Sequence, residues 1–538
     1  MIRDALVQSL RDSLGILEVE PMPETVQLER PAHREHGDWS SNVALAAAKA
    51  AGRNPRELAG ALVAQLTSSP PAHVERVEIA GPGFVNFHLR DSWLHEVLVD
   101  VVRLGADGYA RPTPVNGIAE RIQIEFVSAN PTGPVHVGNG WFASYGDALA
   151  RLLERCGHDV SREYYVNDTG GQIRLLGASV LARANGEPVP ERGYPGGFIK
   201  GLAAAYEGPD DVKAAGAWAV ERILELIKRQ MSSIHIHYDE WFSQASIEDS
   251  AAVEETVDAL AAKGLVFEED GATWLRTADF GDPREKRVLR KSDGDFTYLA
   301  GDLAYHRNKF KVRGFDRVID VWGADHHAQV ASLKAGVEAL GIEQGRLEVR
   351  LGQLISLADG RMSKRLGNAV DLDDLVDDIG ADAMRLLSLL TSIDQPVTID
   401  LDKIRAESKE SPVYYVQYAH TRIASIGRVA TERGVERREV AEVDLGLLGH
   451  PRELDVLRVL SELPDVVALA AAERAPHKLG TWVRELAGAF HGFYHDCYVM
   501  GADVPPELTQ ARLWLVEAAR IGFAIGLDLL GVSAPESM

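Results

Sequence analysis

The feature that most constrains the fold is a strand–helix–strand pattern between residues 121 and 166. The segment RIQIEFV alternates in polarity, as expected of a strand. After a loop of Asn, Pro, Thr and Gly, a helical pattern runs from about Trp141 to Arg155 and stops at Gly157. The segment HDVSREYYV then resumes a strand. Two strands joined by a crossover helix are the unit of a parallel, doubly wound sheet.

The composition restricts the chain to the multidomain globular class. Its 538 residues suggest roughly three or four domains, and 46% hydrophobic with 25% charged residues argue against a disordered or fibrous protein. The net charge of −23 gives no support to non-specific polyanion binding, although a local basic footprint is compatible with nucleic acid. The two cysteines, Cys156 and Cys497, exclude a disulfide framework and favour a reducing, cytoplasmic compartment.

Changes in pattern along the chain predict three domains. Residues 1–112 are expected to form a small N-terminal α/β module with a hairpin around its GPG turn. Residues 113–403 carry the doubly wound pattern, with further strand signals at Arg317–Trp322 and Glu348–Ile355. Residues 404–538 show helical periodicity only. The predicted fold class is therefore α/β, with a Rossmann-like doubly wound parallel sheet between a small α/β domain and an all-helical domain.

Two clusters could suggest a metal site, but each has a simpler interpretation. The aspartates between Asp371 and Asp382 lie near the start of a long amphipathic helix predicted from Leu372 to Leu390, where the helix dipole favours them. In GADHHAQV the two adjacent histidines would seldom converge on one metal, and further ligands are not evident. We therefore predict no structural metal bound by the protein.

Two loops are candidates for nucleotide binding. The first, Asn130–Gly140, joins a strand to a helix, whose unpaired N–H groups suit a phosphate. There Gly138 would allow close approach, and His136 and Asn139 add side-chain donors. The second, Asp359–Asn368, places three cations and a hydroxyl between glycines, which suits a leaving group with several negative charges. For an isolated loop, an ordinary surface loop is the better interpretation.

The two loops together change that interpretation. HVGN after the first strand of a nucleotide fold, with MSK after its last strand, resembles the HIGH and KMSKS signatures of class I aminoacyl-tRNA synthetases. EFVSANPTGPVHVGNG, REYYVNDTGGQI, GDWSSNVALAAAK and GLDLLGVSAPESM further resemble the arginyl-tRNA synthetase family, and the resemblance covers nearly the whole chain. Three named positions depart from the signatures, because Asn139 stands for the second His, Arg361 for the first Lys and Arg365 follows the MSK.

The resemblance implies an enzyme, an arginine–tRNA ligase that uses ATP with its Mg²⁺. L-arginine would be activated to arginyl-adenylate with release of pyrophosphate, and then transferred to the 3′ end of tRNA(Arg) with release of AMP. Catalytic roles are implied for His136, Asn139 and Lys364. The residues implied in ATP binding are His136, Gly138, Asn139, Gly323, Asp325, Met362, Ser363 and Lys364.

Selection of arginine needs a carboxylate that meets the guanidinium in fork geometry, together with a flat neighbour. The segment FTYLAGDLAY offers Tyr298 and Asp302, four residues apart and hence on one helical face. The resemblance implies that this pair holds the guanidinium and that Glu125 assists. The residues implied in arginine binding are Glu125, Ser128, Asn130, Asn139, Tyr298, Asp302 and His326.

Contacts to tRNA are expected where cations and aromatic rings occur together. Between Ile404 and Arg438 there are seven Lys or Arg against four Asp or Glu. The resemblance implies that this helical domain reads the anticodon and that the N-terminal module touches the tRNA elbow. The predicted tRNA-binding residues are Tyr414, Tyr418, Arg422, Arg287 and Arg290.

Four alternative functions agree less well with the sequence. A cysteinyl enzyme would need zinc-thiolate residues that the chain lacks, and a glutamyl enzyme would want an Arg in place of Asp302. A catalytically silent RNA-binding relative is opposed by the intact HVGN, MSK and Asp302. A nucleotide-binding dehydrogenase would leave the helical domain and the second loop unexplained. We expect a monomer without membrane contact.

Overall fold

The structure is a computed structural model that describes residues 2–31, 33–114, 117–353, 355–357, 370–400 and 412–534. The chain divides into two compact units. The first unit consists of Met1–Gly105, Ile426–Ser461 and Ala489–Ile521, and the second of Ala106–Ser425, Glu462–Gly488 and Gly522–Met538.

The strands are β1 (Trp39–Ser41), β2 (Val74–Ala80), β3 (Phe84–Leu89), β4 (Arg121–Phe126), β5 (Asp159–Val166), β6 (Glu240–Ser243), β7 (Val266–Glu269), β8 (Ala272–Arg276), β9 (Lys286–Arg290), β10 (Arg317–Gly323), β11 (Leu347–Gly352), β12 (Ile355–Leu357) and β13 (Val397–Ile399). The α-helices are α1 (Ile2–Ile16), α2 (Val43–Ala48), α3 (Pro55–Ser68), α4 (Ser92–Gly108), α5 (Val137–Arg155), α6 (Gly170–Ala184), α7 (Gly197–Ala205), α8 (Val212–Ser233), α9 (Gln244–Glu248), α10 (Ala252–Ala261), α11 (Tyr298–Arg307), α12 (His327–Ala339), α13 (Leu372–Ile379), α14 (Ala381–Ser388), α15 (Pro412–Glu432), α16 (Pro451–Ala472), α17 (His477–Asp496) and α18 (Pro506–Leu530).

The first unit contains a three-stranded antiparallel sheet in the order β1-β3-β2. The hairpin predicted around the GPG turn is confirmed, because β2 and β3 pair antiparallel with Ala80 opposite Phe84. Contacts within this unit join the N-terminal residues to C-terminal helices. Arg34 forms an ion pair with Asp455 at 2.9 Å, and the His95 ring lies 3.1 Å from the Leu448 carbonyl oxygen.

The second unit is built on a five-stranded sheet in the order β11-β10-β4-β5-β6. All four strand pairs are parallel, so the predicted doubly wound α/β fold is confirmed. Helix α5 crosses from β4 to β5 and packs directly on the sheet, since a Cβ atom added to Gly146 would lie 2.2 Å from the Phe126 ring. From β4 the chain proceeds to β5 and β6 on one side and later to β10 and β11 on the other. A sheet of this kind has its ligand crevice at the carboxyl ends of β4 and β10.

One predicted helix is wrong in its length. The spacing of apolar residues predicted a single helix from Leu372 to Leu390, whereas the structure has α13 and α14. Gly380 separates them with a φ of 82°, a left-handed conformation that an α-helix cannot include. Within residues 412–534 the regular elements are helices, as predicted.

Candidate active site

Three acidic side chains form a row across the parallel sheet, which we call the acid row. Asp320 of β10 is the register partner of Glu125 in β4, and Glu125 is the partner of Glu163 in β5. Register partners on neighbouring strands point to the same face. The three residues have relative exposures of 0%, 7% and 0%. Buried carboxylates so close together need compensating cations or hydrogen-bond donors.

Lys309 compensates for two members of the acid row. Its fully buried ammonium donates to Glu125 Oε2 at 2.7 Å and to Asp320 Oδ1 at 2.9 Å. Burial alone would lower the pKa of Lys309, but Asp320 and Glu125 raise it overall. The ammonium therefore stays charged between the two carboxylates.

The third acid has partners of its own. Arg313 forms a two-pronged pair with Glu163, with N···O distances of 2.5 and 3.0 Å. The Tyr305 hydroxyl lies 2.9 Å from Glu125 Oε2 and also within hydrogen-bonding distance of Glu163. Burial, followed by the charges of Glu125 and Glu163, raises the pKa of Tyr305, so its hydroxyl keeps its proton and can donate it.

A π-helical turn carries two of these partners. The turn Asn308–Val312 follows α11 directly, and Lys309 lies within it. Arg313 is the next residue after the turn. Single π-turns are rare and frequently occur at functional sites.

Asp302 of α11 differs from the acid row in having no cation partner. Among the described residues, no side chain forms a hydrogen bond or an ion pair with its carboxylate. Burial raises the pKa of Asp302 to about 6, with added repulsion from Glu125 and Asp320 that the charges of His306 and Lys309 offset only in part. The His306 ring anchors this part of the helix, since its Nδ1 lies 2.7 Å from the Asp302 carbonyl oxygen and its Nε2 lies 2.8 Å from Asp320 Oδ2.

Helix α5 begins at the HVGN segment. The His136 N–H donates to Asn139 Oδ1 at 3.2 Å, and the Asn139 N–H donates to the His136 carbonyl at 2.9 Å. A Cβ atom added to Gly138 would lie 3.0 Å from the His136 ring, and one added to Gly140 would lie 2.8 Å from Leu372. Gly140 therefore lets α13 pack closely on α5, whereas Gly138 leaves room for the His136 ring at the helix start.

The chain that follows the second loop lies against this helix start. The Val137 N–H donates to the Val370 carbonyl at 3.1 Å, and the Leu372 N–H donates to the Val135 carbonyl at 3.1 Å. The predicted basic loop lies outside the described residues, with Arg361, Met362, Ser363, Lys364 and Arg365. The described chain continues from Val370, whose carbonyl accepts the hydrogen bond from Val137, the residue after His136.

The turn after β4 is strained. Val127 and Ser128 have φ values of 72° and 39°, which non-glycine residues seldom adopt. Ser128 Oγ donates to Glu125 Oε1 at 2.9 Å and accepts from the Tyr165 N–H at 3.0 Å. Such strain clusters at ligand-binding sites. Asn130, further along the same turn, is exposed to solvent.

The other predicted substrate residues lie after β10 and at the start of α11. Gly323 ends β10, and a Cβ atom added to it would lie 2.5 Å from Asp325 Oδ1. The Asp325 carboxylate is open to solvent and the His326 ring is half-exposed. Tyr298, the first residue of α11, is 87% exposed. These residues are exposed or half-exposed, whereas Glu125 is buried and Ser128 is partly buried.

Comparison with known families accounts for nearly the whole chain. The model for the arginyl tRNA synthetase N terminal domain matches residues 1–89, and the model for the class I (R) tRNA synthetase catalytic domain matches residues 113–191 and 207–422. The model for the DALR anticodon binding domain matches residues 416–538. This chain belongs to the arginyl-tRNA synthetase family.

Individual members of the arginyl-tRNA synthetase family agree with this assignment. The arginine–tRNA ligase of Carboxydothermus hydrogenoformans is 44% identical over 95% of this chain and 94% of that protein. The corresponding ligase of Frankia alni is 44% identical over 100% of this chain and 99% of that protein. Thermus thermophilus arginyl-tRNA synthetase has a TM-score of 0.80 over 100% of both chains at 22% identity, which supports the fold alone.

The aromatic and cationic residues predicted to bind tRNA fall into two groups. In α15 the rings of Tyr414 and Tyr418 stack with centroids 5.4 Å apart, and the Arg422 guanidinium lies 4.3 Å from the Tyr418 ring centroid. In β9, by contrast, Arg287 pairs with the buried Asp282 at 2.7 Å, and Arg290 pairs with Glu254. These residues were named on charge and aromaticity, which do not reveal internal partners.

Several residues of the acid row and its surroundings were not found from the sequence. They are Tyr305, His306, Lys309, Arg313, Asp320 and Glu163. The one usable signal was the presence of acids within apolar strands, as in RVIDVW and REYYV, because such acids must be paired. Nothing in the sequence marked the π-turn that supplies their cations.

In the described part of the chain, no group of three or more His, Cys, Asp or Glu could hold a metal ion. No helix within it combines the length and the apolarity that crossing a membrane requires.

Proposed function

We propose that this member of the arginyl-tRNA synthetase family ligates L-arginine to tRNA(Arg) by pairing the substrate guanidinium with Asp302. The observation that carries the proposal is the contrast between Asp302 and the three carboxylates of the acid row. Asp320, Glu125 and Glu163 have internal cation partners, whereas the Asp302 carboxylate has none among the described residues. A guanidinium is the cation that would complete this site, since it binds a carboxylate in planar fork geometry.

The start of α5 is proposed to receive ATP with its Mg²⁺. The positive end of the helix dipole favours the phosphates, and Gly138 has no side chain to obstruct their approach. The arginine carboxylate would attack the α-phosphate and expel pyrophosphate, so rate enhancement comes mainly from positioning and preorganised donors. The residues proposed for this step are His136, Gly138, Asn139, Gly323, Asp325, Met362, Ser363 and Lys364.

The basic loop is proposed to hold the leaving group. Lys364 would stabilise the departing pyrophosphate, with Ser363 and Met362 beside it. The hydrogen bonds of Val370 beside His136 support this role, because they hold the chain just after the loop at the helix that would receive ATP.

The remaining arginine contacts would orient the substrate. Ser128, Asn130 and Asn139 are proposed to meet its α-amino and carboxylate ends, and the exposed Tyr298 would cover the guanidinium. Glu125 would act through its hydrogen bond to Ser128. His326, which follows β10, is proposed to contact the arginine substrate as well.

Each of the three predicted domains is proposed to have a separate function. Residues 1–112 would touch the tRNA elbow, residues 113–403 would catalyse both steps, and residues 404–538 would read the anticodon. The tRNA contacts proposed are Tyr414, Tyr418, Arg422 and Arg290, whereas Arg287, which the sequence also suggested, is paired with the buried Asp282. We propose that the enzyme acts as a monomer in the cytoplasm, a reducing compartment that suits its two free cysteines.

The decisive experiment is ATP–pyrophosphate exchange with each amino acid, with and without tRNA(Arg). We expect exchange with arginine when tRNA(Arg) is present, followed by charging of that tRNA. Exchange driven by another amino acid would indicate a sister enzyme. Bound tRNA without exchange or charging would indicate a catalytically silent relative.

A further inference from the structure

The three-stranded antiparallel sheet formed by β7, β8 and β9 has two faces of different character. On one face Val266 is the register partner of Leu275, which is fully buried in a hydrophobic core. On the other face Phe267 is the partner of Trp274, and Trp274 is the partner of Val288. This second row is only partly buried. The solvated face of an antiparallel sheet is normally polar, so two aromatic rings on it need an explanation.

Cations lie over both of these rings. The Lys286 ammonium is 4.6 Å from the Trp274 ring centroid, and the Arg276 guanidinium is 5.3 Å from the Phe267 ring centroid. Lys286 also pairs with Glu269, but the two side chains are 40% and 43% exposed, so this pair contributes little to stability and can open. We call Phe267, Trp274, Arg276 and Lys286 the aromatic face. Aromatic rings with cations beside them are the combination by which proteins bind single-stranded nucleic acid.

The strand that borders the aromatic face is joined directly to the start of α11. The Thr297 hydroxyl donates to the Val288 carbonyl at 2.8 Å, and the Thr297 N–H donates to the Leu289 carbonyl at 2.9 Å. Thr297 caps α11, and the next residue is Tyr298, which is proposed to cover the arginine guanidinium. The 3′-terminal ribose of tRNA has to reach the activated arginine. The unpaired nucleotides before that ribose must therefore cross a surface close to this helix start.

We propose that the aromatic face binds the unpaired 3′ nucleotides of tRNA(Arg), with bases stacked on Trp274 and Phe267 and phosphates paired with Lys286 and Arg276. The inference rests on the proposed function and deepens it, because it names the surface that holds the acceptor end during transfer. A base that stacks on Trp274 displaces the Lys286 ammonium from the ring, and a neighbouring phosphate then replaces Glu269 as its partner. Stacking tolerates any base, which suits a segment that has to be positioned.

The test combines protein variants with a truncated RNA. Trp274→Leu keeps an apolar side chain on the strand but removes the aromatic ring, and Trp274→Phe retains a ring. The two RNAs are intact tRNA(Arg) and the same tRNA without its unpaired 3′ nucleotides. The matched control is Trp218→Leu, because Trp218 in α8 is also partly buried and has the Arg222 guanidinium 5.3 Å from its ring centroid.

The measurement is the Kd of the full-length enzyme for each RNA by filter binding, with thermal unfolding as the test of folding. We expect Trp274→Leu to weaken binding of intact tRNA(Arg) about fivefold or more and to leave binding of the truncated tRNA unchanged. Trp274→Phe should recover most of the loss, and Trp218→Leu should match the wild type with both RNAs. If Trp274→Leu does not fold, Phe267→Leu removes the other ring of the aromatic face and carries the same expectation.

Two results would overturn the inference. One is an unchanged Kd for intact tRNA(Arg) in the folded variant. The other is an equal loss with both RNAs, which would assign the ring to the stability of the sheet or to another part of the tRNA. Failure of the proposed function is distinguishable, because the wild-type enzyme itself would then not charge tRNA(Arg) with arginine.

Discussion

Asp147 in α5 and Asp302 in α11 are both acids on helices of the second unit, yet their surroundings are opposite. Asp147 is 2% exposed and meets Arg385, Arg151 and Arg162 at 2.6, 2.8 and 3.2 Å. Burial raises the pKa of Asp147, but the three arginines lower it overall. Asp302 has no such partner, and burial raises its pKa to about 6.

The difference separates an acid that stabilises the fold from an acid that awaits a ligand. A buried carboxylate surrounded by arginines gains nothing from a further cation, whereas an uncompensated one is held at a cost that a cationic ligand removes. A functional acid can therefore be recognised as one that lacks the cation partners that structural acids have elsewhere in the same molecule. The predictions below test whether the two aspartates differ in this way.

The largest effect is expected at the complete site. Arg385 has no exposed surface, and besides Asp147 it donates to the carbonyls of Leu530 and Ile234 at about 3 Å. Arg385→Met should lower the free energy of unfolding by about 3–5 kcal/mol, because it leaves a buried charge and two carbonyls short of a partner. Urea titration followed by tryptophan fluorescence measures this loss.

The control is Arg151→Met, which removes a second arginine from the same carboxylate. The Arg151 side chain is 26% exposed, so water can replace part of what it provides. We expect a loss less than half as large. Equal losses for the two variants would mean that burial of the partner does not determine the stability of this cluster.

The next effect tests the incomplete site. Asp302→Asn should raise the KM for arginine about 10- to 100-fold, since a hydrogen bond to a charged group contributes about 1.5–3 kcal/mol. The KM for ATP should change little, and the free energy of unfolding should not fall, because the variant removes a partly buried carboxylate that has no ion-pair partner among the described residues. Steady-state charging kinetics and urea titration supply the two measurements.

A matched control is Asp270→Asn, which makes the same chemical change at an exposed turn of the second unit. Its kinetics should match the wild type. A loss of stability in Asp302→Asn comparable with that of Arg385→Met would place Asp302 among the structural acids and remove its proposed role.

The pH dependence of arginine binding gives a third, smaller effect. The pKa of free Asp302, about 6, lies above the unfolded value of 3.8, so the folded enzyme retains a proton that the unfolded chain has released. The raised pKa makes folding less favourable as the pH rises from about 4 to 6, and arginine binds only the ionised form. The Kd for arginine should therefore be about tenfold higher at pH 5 than at pH 7.

Calorimetric titration of the enzyme with arginine at the two pH values measures this change. The substrate itself does not titrate between pH 5 and 7, and in Asp302→Asn the dependence should vanish. A tenfold change that persists in Asp302→Asn would assign the titration to another group.

What the sequence could predict follows the range of the interactions involved. The β4–α5–β5 unit was predictable because the period of apolar residues and the glycine stop are local signals. Asp302 could be named as a candidate because a carboxylate and an aromatic ring four residues apart share a helical face, although the structure leaves Tyr298 largely exposed. The break at Gly380 was missed because apolar spacing continues across it while the backbone does not.

The acid row could not be predicted, because it depends on the register of three strands that are far apart in the sequence. Lys309 reaches it only because a π-turn follows α11, and the apolar spacing of a helix does not distinguish that turn. The members of the site that the sequence missed are therefore those that depend on pairing between strands or on local departures from the α-helix.

Asp282 is an intermediate case that sharpens the comparison. It is buried and has a single arginine partner, Arg287, whose side chain is 14% exposed. Arg290, three residues later, is 33% exposed and pairs with Glu254, which is 52% exposed. Only the exposed arginine can exchange its carboxylate for a phosphate of tRNA without leaving a buried charge behind.

The smallest effect is therefore expected for Arg290→Gln. Its free energy of unfolding should change by less than about 1 kcal/mol, as is typical of an exposed ion pair, whereas Arg287→Gln should lose more. If Arg290 contacts a phosphate, the slope of tRNA affinity against salt concentration should fall by about one in Arg290→Gln. The slope should stay unchanged in Arg287→Gln, because in the wild-type enzyme the Arg287 guanidinium is paired with Asp282 and contacts no phosphate. A reduced salt slope in Arg287→Gln alone would show that an arginine paired with a buried carboxylate can still contact tRNA. At this surface, the pairing of a residue within the protein would then not predict whether it binds a ligand.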